Sequence, residues 1–268
     1  MALSIDLSGK RALISGVTSG LGAGIARVFA EAGCDVIGCG RRSSEDLAAQ
    51  RFVEHATALG RKAIYIQSDV TVSTDIEGLV MAANKTFDGL DILVSNAGIN
   101  VFKGVDGCTE KDWDFNDALN LRGHWLLTKH AKPLLEQGAN PVALIMTSNH
   151  AFATMPGCFP YNVAKAGLVA LVQSLALEWA PRCRVVGIAP GYIETEATAP
   201  WFDSFPDPEA ERRRVESIHP VGRIGSVEEV GGLCAFLASP HAGFITGNTI
   251  LMDGGRSALM EDRSFGVG

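Results

Sequence analysis

The sequence predicts a doubly wound α/β fold, with a mostly parallel seven-stranded sheet and helices on both faces. Three observations predict it. Seven short apolar runs recur along the chain, at 12–15, 36–39, 63–67, 92–95, 142–147, 185–188 and 249–252. Helical patterns alternate with them, as where Leu21, Ile25, Val28, Phe29 and Ala32 recur between the first two runs. No internal repeat, low-complexity tract or Pro/Gly-rich linker breaks the rhythm. Sustained strand–helix alternation implies parallel strands joined by helical crossovers. Right-handed crossovers place ligands at the carboxyl ends of the strands.

The first strand leads into Ser15-Gly16-Val17-Thr18-Ser19-Gly20-Leu21-Gly22. Glycines at this GxxxGxG spacing let the backbone turn tightly and approach a pyrophosphate, and the helix N-terminus attracts the anion. The spacing alone also fits a turn that needs glycine for steric reasons only. Its position after the first strand favours the anion cradle of a Rossmann-type nucleotide site.

The second strand ends in Cys39-Gly40-Arg41-Arg42, without a carboxylate. A carboxylate there would bond the adenosine ribose 2′-hydroxyl and repel a 2′-phosphate. An arginine pairs with that phosphate instead. The expected cofactor is therefore NADP(H), with Arg41 its main contact, Arg42 covering the surface and NAD(H) as the alternative. After the third strand, Asp69 and Val70 follow Ser68. Asp69 is placed to accept a hydrogen bond from an adenine amino group, or equally to cap the helix beginning near Ser73. After the fourth, Ser95-Asn96-Ala97-Gly98 supplies small residues beside the adenosine ribose, and Asn96 can tie neighbouring strands together.

The fifth strand ends in hydroxyls at Thr147 and Ser148. Tyr161 follows thirteen residues after Ser148, and Lys165 four after that. On a helix these two share a face. Hydride transfer to a carbonyl needs a proton for the alkoxide that forms. A free tyrosine, with a pKa of about 10, is a poor base near neutral pH. A nearby ammonium and an oxidised nicotinamide are expected to favour the phenolate. Tyrosine then donates in reduction and accepts in oxidation, while Ser148 holds the substrate oxygen. A lone YxxxK also fits a solvated helix face; its company makes it specific.

That company resembles the short-chain dehydrogenase/reductase superfamily from Lys10 to about Gly255, in its compact single-domain form. The matches stand in the family's order: Gly16/Gly20/Gly22, Asp69, Ser95–Gly98, Asn120, Ser148, Tyr161, Lys165 and Pro190-Gly191. The resemblance implies a catalytic set of Asn120, Ser148, Tyr161 and Lys165. The Asn120 main chain would help hold a proton-relaying water, and Lys165 the nicotinamide ribose hydroxyls. It also implies a cofactor site of Gly16, Ser19, Gly20, Leu21, Gly22, Arg41, Asp69, Val70, Asn96, Ala97, Gly98, Tyr161, Lys165, Pro190, Gly191, Ile193 and Thr195. Ser95 departs from the pattern, since the family more often has asparagine there. The larger sugar-nucleotide epimerases need a longer substrate domain, and related enoyl reductases space their tyrosine and lysine further apart.

The expected function is interconversion of a secondary alcohol and a ketone. The alternatives are an NAD-linked dehydrogenase of a sugar, polyol or diol, and a nicotinamide-binding sensor or scaffold. The complete catalytic set favours the enzyme. Residues 1–268 are expected to form one domain, with 194–224 a mobile lid over the substrate. The lid carries Trp201, Phe202 and Phe205, which either enclose an apolar or cyclic substrate or pack beneath the lid. Ser148, His150, Tyr161 and Tyr192 are the expected substrate contacts, with Phe152 and Met155 lining the pocket. Glu211-Arg212-Arg213-Arg214 reads as a solvated helix face.

Composition sets the remaining bounds. The chain has 268 residues and a net charge of −7, which gives no basic field for nucleic acid or an anionic membrane. No apolar run approaches the roughly 18 residues of a membrane span. The expected compartment is the cytoplasm. The six cysteines are scattered and read as reduced thiols, with neither disulfides nor a metal site. Cys158, three residues before Tyr161, reads as an apolar filler or a neighbour of the site. The helix from Tyr161 is apolar around nearly its whole circumference, which predicts a homodimer or homotetramer. The tail at 261–266 is expected to reach a neighbouring subunit.

Overall fold

The computed structural model describes residues 4–259. The expected tail contact at 261–266 lies outside them. The strands are β1 (Arg11–Ser15), β2 (Asp35–Gly40), β3 (Ala63–Gln67), β4 (Ile92–Ser95), β5 (Val142–Met146), β6 (Arg184–Pro190), β7 (Ile193–Glu194), β8 (Gly225–Ser226) and β9 (Thr249–Met252). The helices are α1 (Gly20–Glu31), α2 (Leu47–Ala58), α3 (Ser73–Phe87), α4 (Glu110–Asp117), α5 (Gly123–Leu135), α6 (Tyr161–Trp179), α7 (Thr198–Asp203), α8 (Pro208–Ser217) and α9 (Val227–Ala238).

Seven strands form one parallel sheet in the order β3-β2-β1-β4-β5-β6-β9. Successive side chains along each strand point to opposite faces. Ala12, Ile14, Val142, Leu144 and Met146 pack with Ile25 and Phe29 of α1, Phe52 of α2 and Val230 of α9. Leu13, Ala143 and Ile145 pack on the other side with α3, α5 and α6, through Leu79, Leu127 and Leu168. The central strands are buried on both faces, which is why they read as continuous apolar runs rather than alternating ones.

Strand order reverses between β1 and β4, and a crevice opens there at the carboxyl ends. Beyond it, β7 pairs with β8 in a short parallel ribbon. The ribbon ties the two ends of the expected lid together, and α7 and α8 lie between them. No helix of the described residues is long and apolar enough to cross a membrane.

Candidate active site

The crevice is a cleft of about 340 Å³. Gly16, Ser19, Gly20 and Leu21 line one end, with Arg41, Asp69 and Val70 beside them. Asn96, Ala97 and Gly98 form the floor, and Tyr161 and Lys165 close the other end. The structure thus brings together most of the expected cofactor residues.

The turn at β1 is shaped for close approach. Gly16 has φ of +79°, a left-handed conformation that favours glycine. Gly22 faces it, and a Cβ there would lie 2.1 Å from the Gly16 carbonyl oxygen and 2.6 Å from Asn96 Nδ2. The backbone N–H groups of Asn96 and Ala97 donate to Ser15 Oγ (2.9 and 3.0 Å), and Asn96 Nδ2 donates to the Ser15 carbonyl (2.9 Å). Asn96 therefore ties β4 to β1 where the strand order reverses.

At the end of β2, Arg42 pairs with Asp46 at 3.1 Å, whereas Arg41 makes no ion pair among the described residues. Gln67 Nε2 donates to the Arg41 carbonyl (3.1 Å) and the Tyr65 hydroxyl to that of Arg42 (2.8 Å), which holds this segment's backbone. Asp69 corrects one of its two readings. Its carboxylate accepts from the N–H and hydroxyl of Thr71 (2.9 and 2.8 Å), and α3 starts after Val72 without a side-chain cap. The local turn claims Asp69 two residues ahead, so it does not cap α3.

Asn120 lies in a single π-helical turn, Ala118–Arg122, between α4 and α5. Its Oδ1 accepts from Ile99 N–H (3.2 Å), and its Nδ2 donates to the Ile99 carbonyl and to Asn116 Oδ1, both at 2.9 Å. With the side chain so engaged, what Asn120 offers the cleft comes from its main chain. Such π turns recur at functional sites.

Asn116 was not singled out in the sequence. It is buried, and its Nδ2 donates to the Pro160 carbonyl at 3.1 Å, linking the Asn120 turn to the residue before Tyr161. Its only signal was the i, i+4 spacing to Asn120. His124 was missed as well. It shares a 2.8 Å hydrogen bond with Ser95, which gives the departure at Ser95 a local partner. Burial, then the charge of Lys165, holds His124 well below the ordinary imidazole range and uncharged.

Tyr161 and Lys165 occupy the first and second turns of α6, both buried. Lys165 Nζ donates to the Met146 carbonyl at 2.9 Å and lies 5.6 Å from the Tyr161 ring centroid. The expected depression of the phenol is corrected for the chain by itself. Burial pushes Tyr161 up to about 12, opposed by the Ser148 hydroxyl. Burial also pushes Lys165 down to about 7, which weakens the very charge that was expected to act on the phenol. Cys158 is buried close enough to Tyr161 to raise it further.

Phe102, His150 and Tyr161 form an aromatic group, with Phe102 centroids 5.4 Å from Tyr161 and 5.7 Å from His150. Burial lowers His150 below the ordinary imidazole value, so it faces this group as a neutral ring. Phe152 and Met155 are exposed. Tyr192 is not on the cleft wall. It packs against Trp201 and Phe202, and with Ile193 and His219 it lines a second cavity of about 140 Å³. Phe202 of α7 is buried against Val215 and Ile224, whereas Trp201 keeps 38% of its surface exposed. Pro190 and Gly191 also stand off the wall. Gly191 N–H donates to the Met252 carbonyl at 3.0 Å, joining β6 to β9. Thr195 reaches the cleft's edge, where its Cγ2 lies 3.8 Å from the position a Gly20 Cβ would take. Arg212, Arg213 and Arg214 pair with Glu194, Glu209 and Glu211, as a solvated face requires.

A family model described as enoyl-(acyl carrier protein) reductase matches residues 16–257. A 3β-hydroxysteroid dehydrogenase of Eggerthella lenta is 36% identical over 267 residues, covering 98% of this chain and 99% of the relative. Human dehydrogenase/reductase SDR family member 4 is 36% identical over 256 residues, covering 93% of this chain and 88% of the relative. The chain belongs to the short-chain dehydrogenase/reductase family. Among solved structures, a short-chain type dehydrogenase/reductase of Mycobacterium marinum superposes with a TM-score of 0.85 at 32% identity, over 95% of this chain and 98% of that one. The aldohexose dehydrogenase of Thermoplasma acidophilum gives 0.86 at 27% identity, over 96% and 98%. This family member is an NAD(P)-dependent oxidoreductase, a dehydrogenase acting on alcohols.

Proposed function

We propose that this enzyme interconverts a secondary alcohol and a ketone with NADP(H), and that Tyr161 moves the proton. The observation that carries this reading is the buried Tyr161–Lys165 pair at the end of a cleft whose other end is the glycine turn. The cleft suits a dinucleotide because the glycine turn at Gly16 and Gly20 lines it without side chains, and because Arg41, which makes no ion pair among the described residues, stands beside it. When bound, the nicotinamide supplies or takes up the hydride.

The chain's own residues do the rest. Gly16, Ser19, Gly20, Leu21 and Gly22 hold the pyrophosphate, and Arg41 pairs with the 2′-phosphate. Asp69 accepts from the adenine, and Val70 lies beside it. Asn96, Ala97 and Gly98 leave room for the adenosine ribose. Of the residues that follow β6, Thr195 reaches the edge of the cleft and is the one we assign to the cofactor. Ser148 holds the substrate oxygen while the Tyr161 hydroxyl gives or takes its proton. A phenol pushed up to about 12 is a ready donor for reduction at neutral pH. To accept a proton it needs added positive charge, which a protonated Lys165 and an oxidised nicotinamide provide. At about 7, Lys165 is poised to change protonation in the working range. Asn120 carries the relay onward through its main chain.

The substrate we favour has an apolar or cyclic body. Phe102, Phe152, Met155 and Trp201 keep apolar surface exposed, and we assign the segment 194–224 as the lid of the site. Relatives named for a hydroxysteroid and an aldohexose act on ring-bearing molecules. His150, beside Tyr161, contacts that body. Trp113, Phe115, Trp125, Val163 and Leu177 leave exposed apolar surface on α4, α5 and α6, which supports assembly as a homodimer or homotetramer.

Steady-state kinetics with both cofactors test the choice. Arg41→Ala is expected to lower kcat/KM with NADPH by about tenfold to a hundredfold, the worth of a charged hydrogen-bonded pair, and to leave NADH nearly unchanged. A wild-type enzyme that prefers NADH and ignores the substitution supports the NAD-linked alternative instead.

A further inference from the structure

We propose that Glu196 is an internal competitor for the cofactor's pyrophosphate and links the glycine turn to the lid. Its Oε2 accepts a 3.0 Å hydrogen bond from the N–H of Gly20, the first residue of α1, across 176 residues of sequence. Helix α1 has no other anion at its start. Ser19 makes no side-chain cap, and the first turn carries no acidic residue. An exposed helix N-terminus attracts negative charge, and Glu196 satisfies it.

The same turn is the one assigned above to the pyrophosphate, and the inference rests on that assignment. A carboxylate and a phosphate at one N–H group repel each other, so a dinucleotide must displace Glu196 or bind against its charge. Glu196 follows Thr195, which lies against Gly20, and precedes α7 by two residues. Two residues before it, Glu194 forms a two-pronged pair with Arg212 of α8 at 2.7 and 3.1 Å. Glu196 thus lies on the backbone stretch that joins the β7 ribbon to the lid helices, and its displacement releases that stretch from its bond to the glycine turn.

Calorimetric titration of the full chain with NADPH and NADH provides the test. Glu196→Gln keeps the length of the side chain and an acceptor for Gly20, and removes only the charge. Both cofactors should bind it about five- to tenfold more tightly than the wild type at low salt, with a smaller gain at high salt. The gain is shared because both cofactors carry the pyrophosphate, whereas an effect at Arg41 is confined to NADPH. Glu196→Ala should show a gain of similar size. Glu209→Gln, which removes an exposed carboxylate from α8, should show none. Equal or weaker binding by Glu196→Gln, or an equal gain from Glu209→Gln, overturns the proposal and leaves the dinucleotide assignment standing. If neither cofactor binds any of these proteins, the assignment itself fails and the proposal with it.

Discussion

Replacing Tyr161 with phenylalanine is expected to lower kcat/KM by about a thousandfold, in the middle of the range for losing a general acid–base. Cofactor affinity should stay within about twofold. The substitution deletes one hydroxyl and keeps the ring that packs edge-on against Phe102. It leaves Lys165 bonded to the Met146 carbonyl and the glycine turn untouched. The loss therefore reports proton transfer and little else. The pH dependence follows from the same groups. The phenol of the free chain sits at about 12, so reduction, which needs the neutral form, loses its donor only as pH rises toward that value. Oxidation needs the phenolate and gains as pH rises. The positive charges gathered beside Tyr161 in the loaded site set how early that gain begins. Steady-state rates in both directions, paired with cofactor titration, check both parts. A variant that keeps wild-type turnover removes Tyr161 from the reaction.

Gly22→Ala is expected to act on the scaffold and on binding together. The new methyl would stand 2.1 Å from the Gly16 carbonyl oxygen and 2.6 Å from Asn96 Nδ2. The first is backbone at the end of β1, and the second is fixed by its bond to the Ser15 carbonyl. Neither yields as the tip of a flexible side chain does. Overpacking of this kind costs about 1–3 kcal/mol, which lowers Tm by about 2–12 °C in a chain of this size. Relief requires α1 to move away from the turn, so cofactor affinity should fall by at least about tenfold. Thermal melts followed by circular dichroism, with and without NADPH, read both effects. Wild-type stability and affinity in this variant contradict the close packing described for the turn.

The elements that the sequence revealed are those whose physics is local. β3, β4 and β9 have the expected bounds, because each is a short apolar run closed by a polar or small residue. The Tyr161–Lys165 pair was legible for the same reason, since helical periodicity alone puts positions four apart on one face. β6 runs two residues past its expected end, through Ala189 and Pro190, where pairing with β9 continues. The β7–β8 ribbon is only two residues long on each side and shows no pattern. The π turn around Asn120 is built from ordinary helix formers.

What remained hidden depends on partners far away along the chain. Asn116 finds Pro160, His124 finds Ser95, and Glu196 finds Gly20 only after the sheet has brought distant segments together. The protonation of Tyr161 belongs to the same group. Spacing located its ammonium neighbour but not the burial that outweighs it.

Deuterium transfer tests hydride exchange at this site most directly. NADPH deuterated at the transferable C4 position is incubated with the enzyme and a panel of cyclic ketones. The wild type should yield a secondary alcohol with deuterium on the carbinol carbon, and Tyr161→Phe should form it about a thousandfold more slowly. An alcohol product without deuterium, or reduced cofactor left unconsumed across the whole panel, contradicts the account.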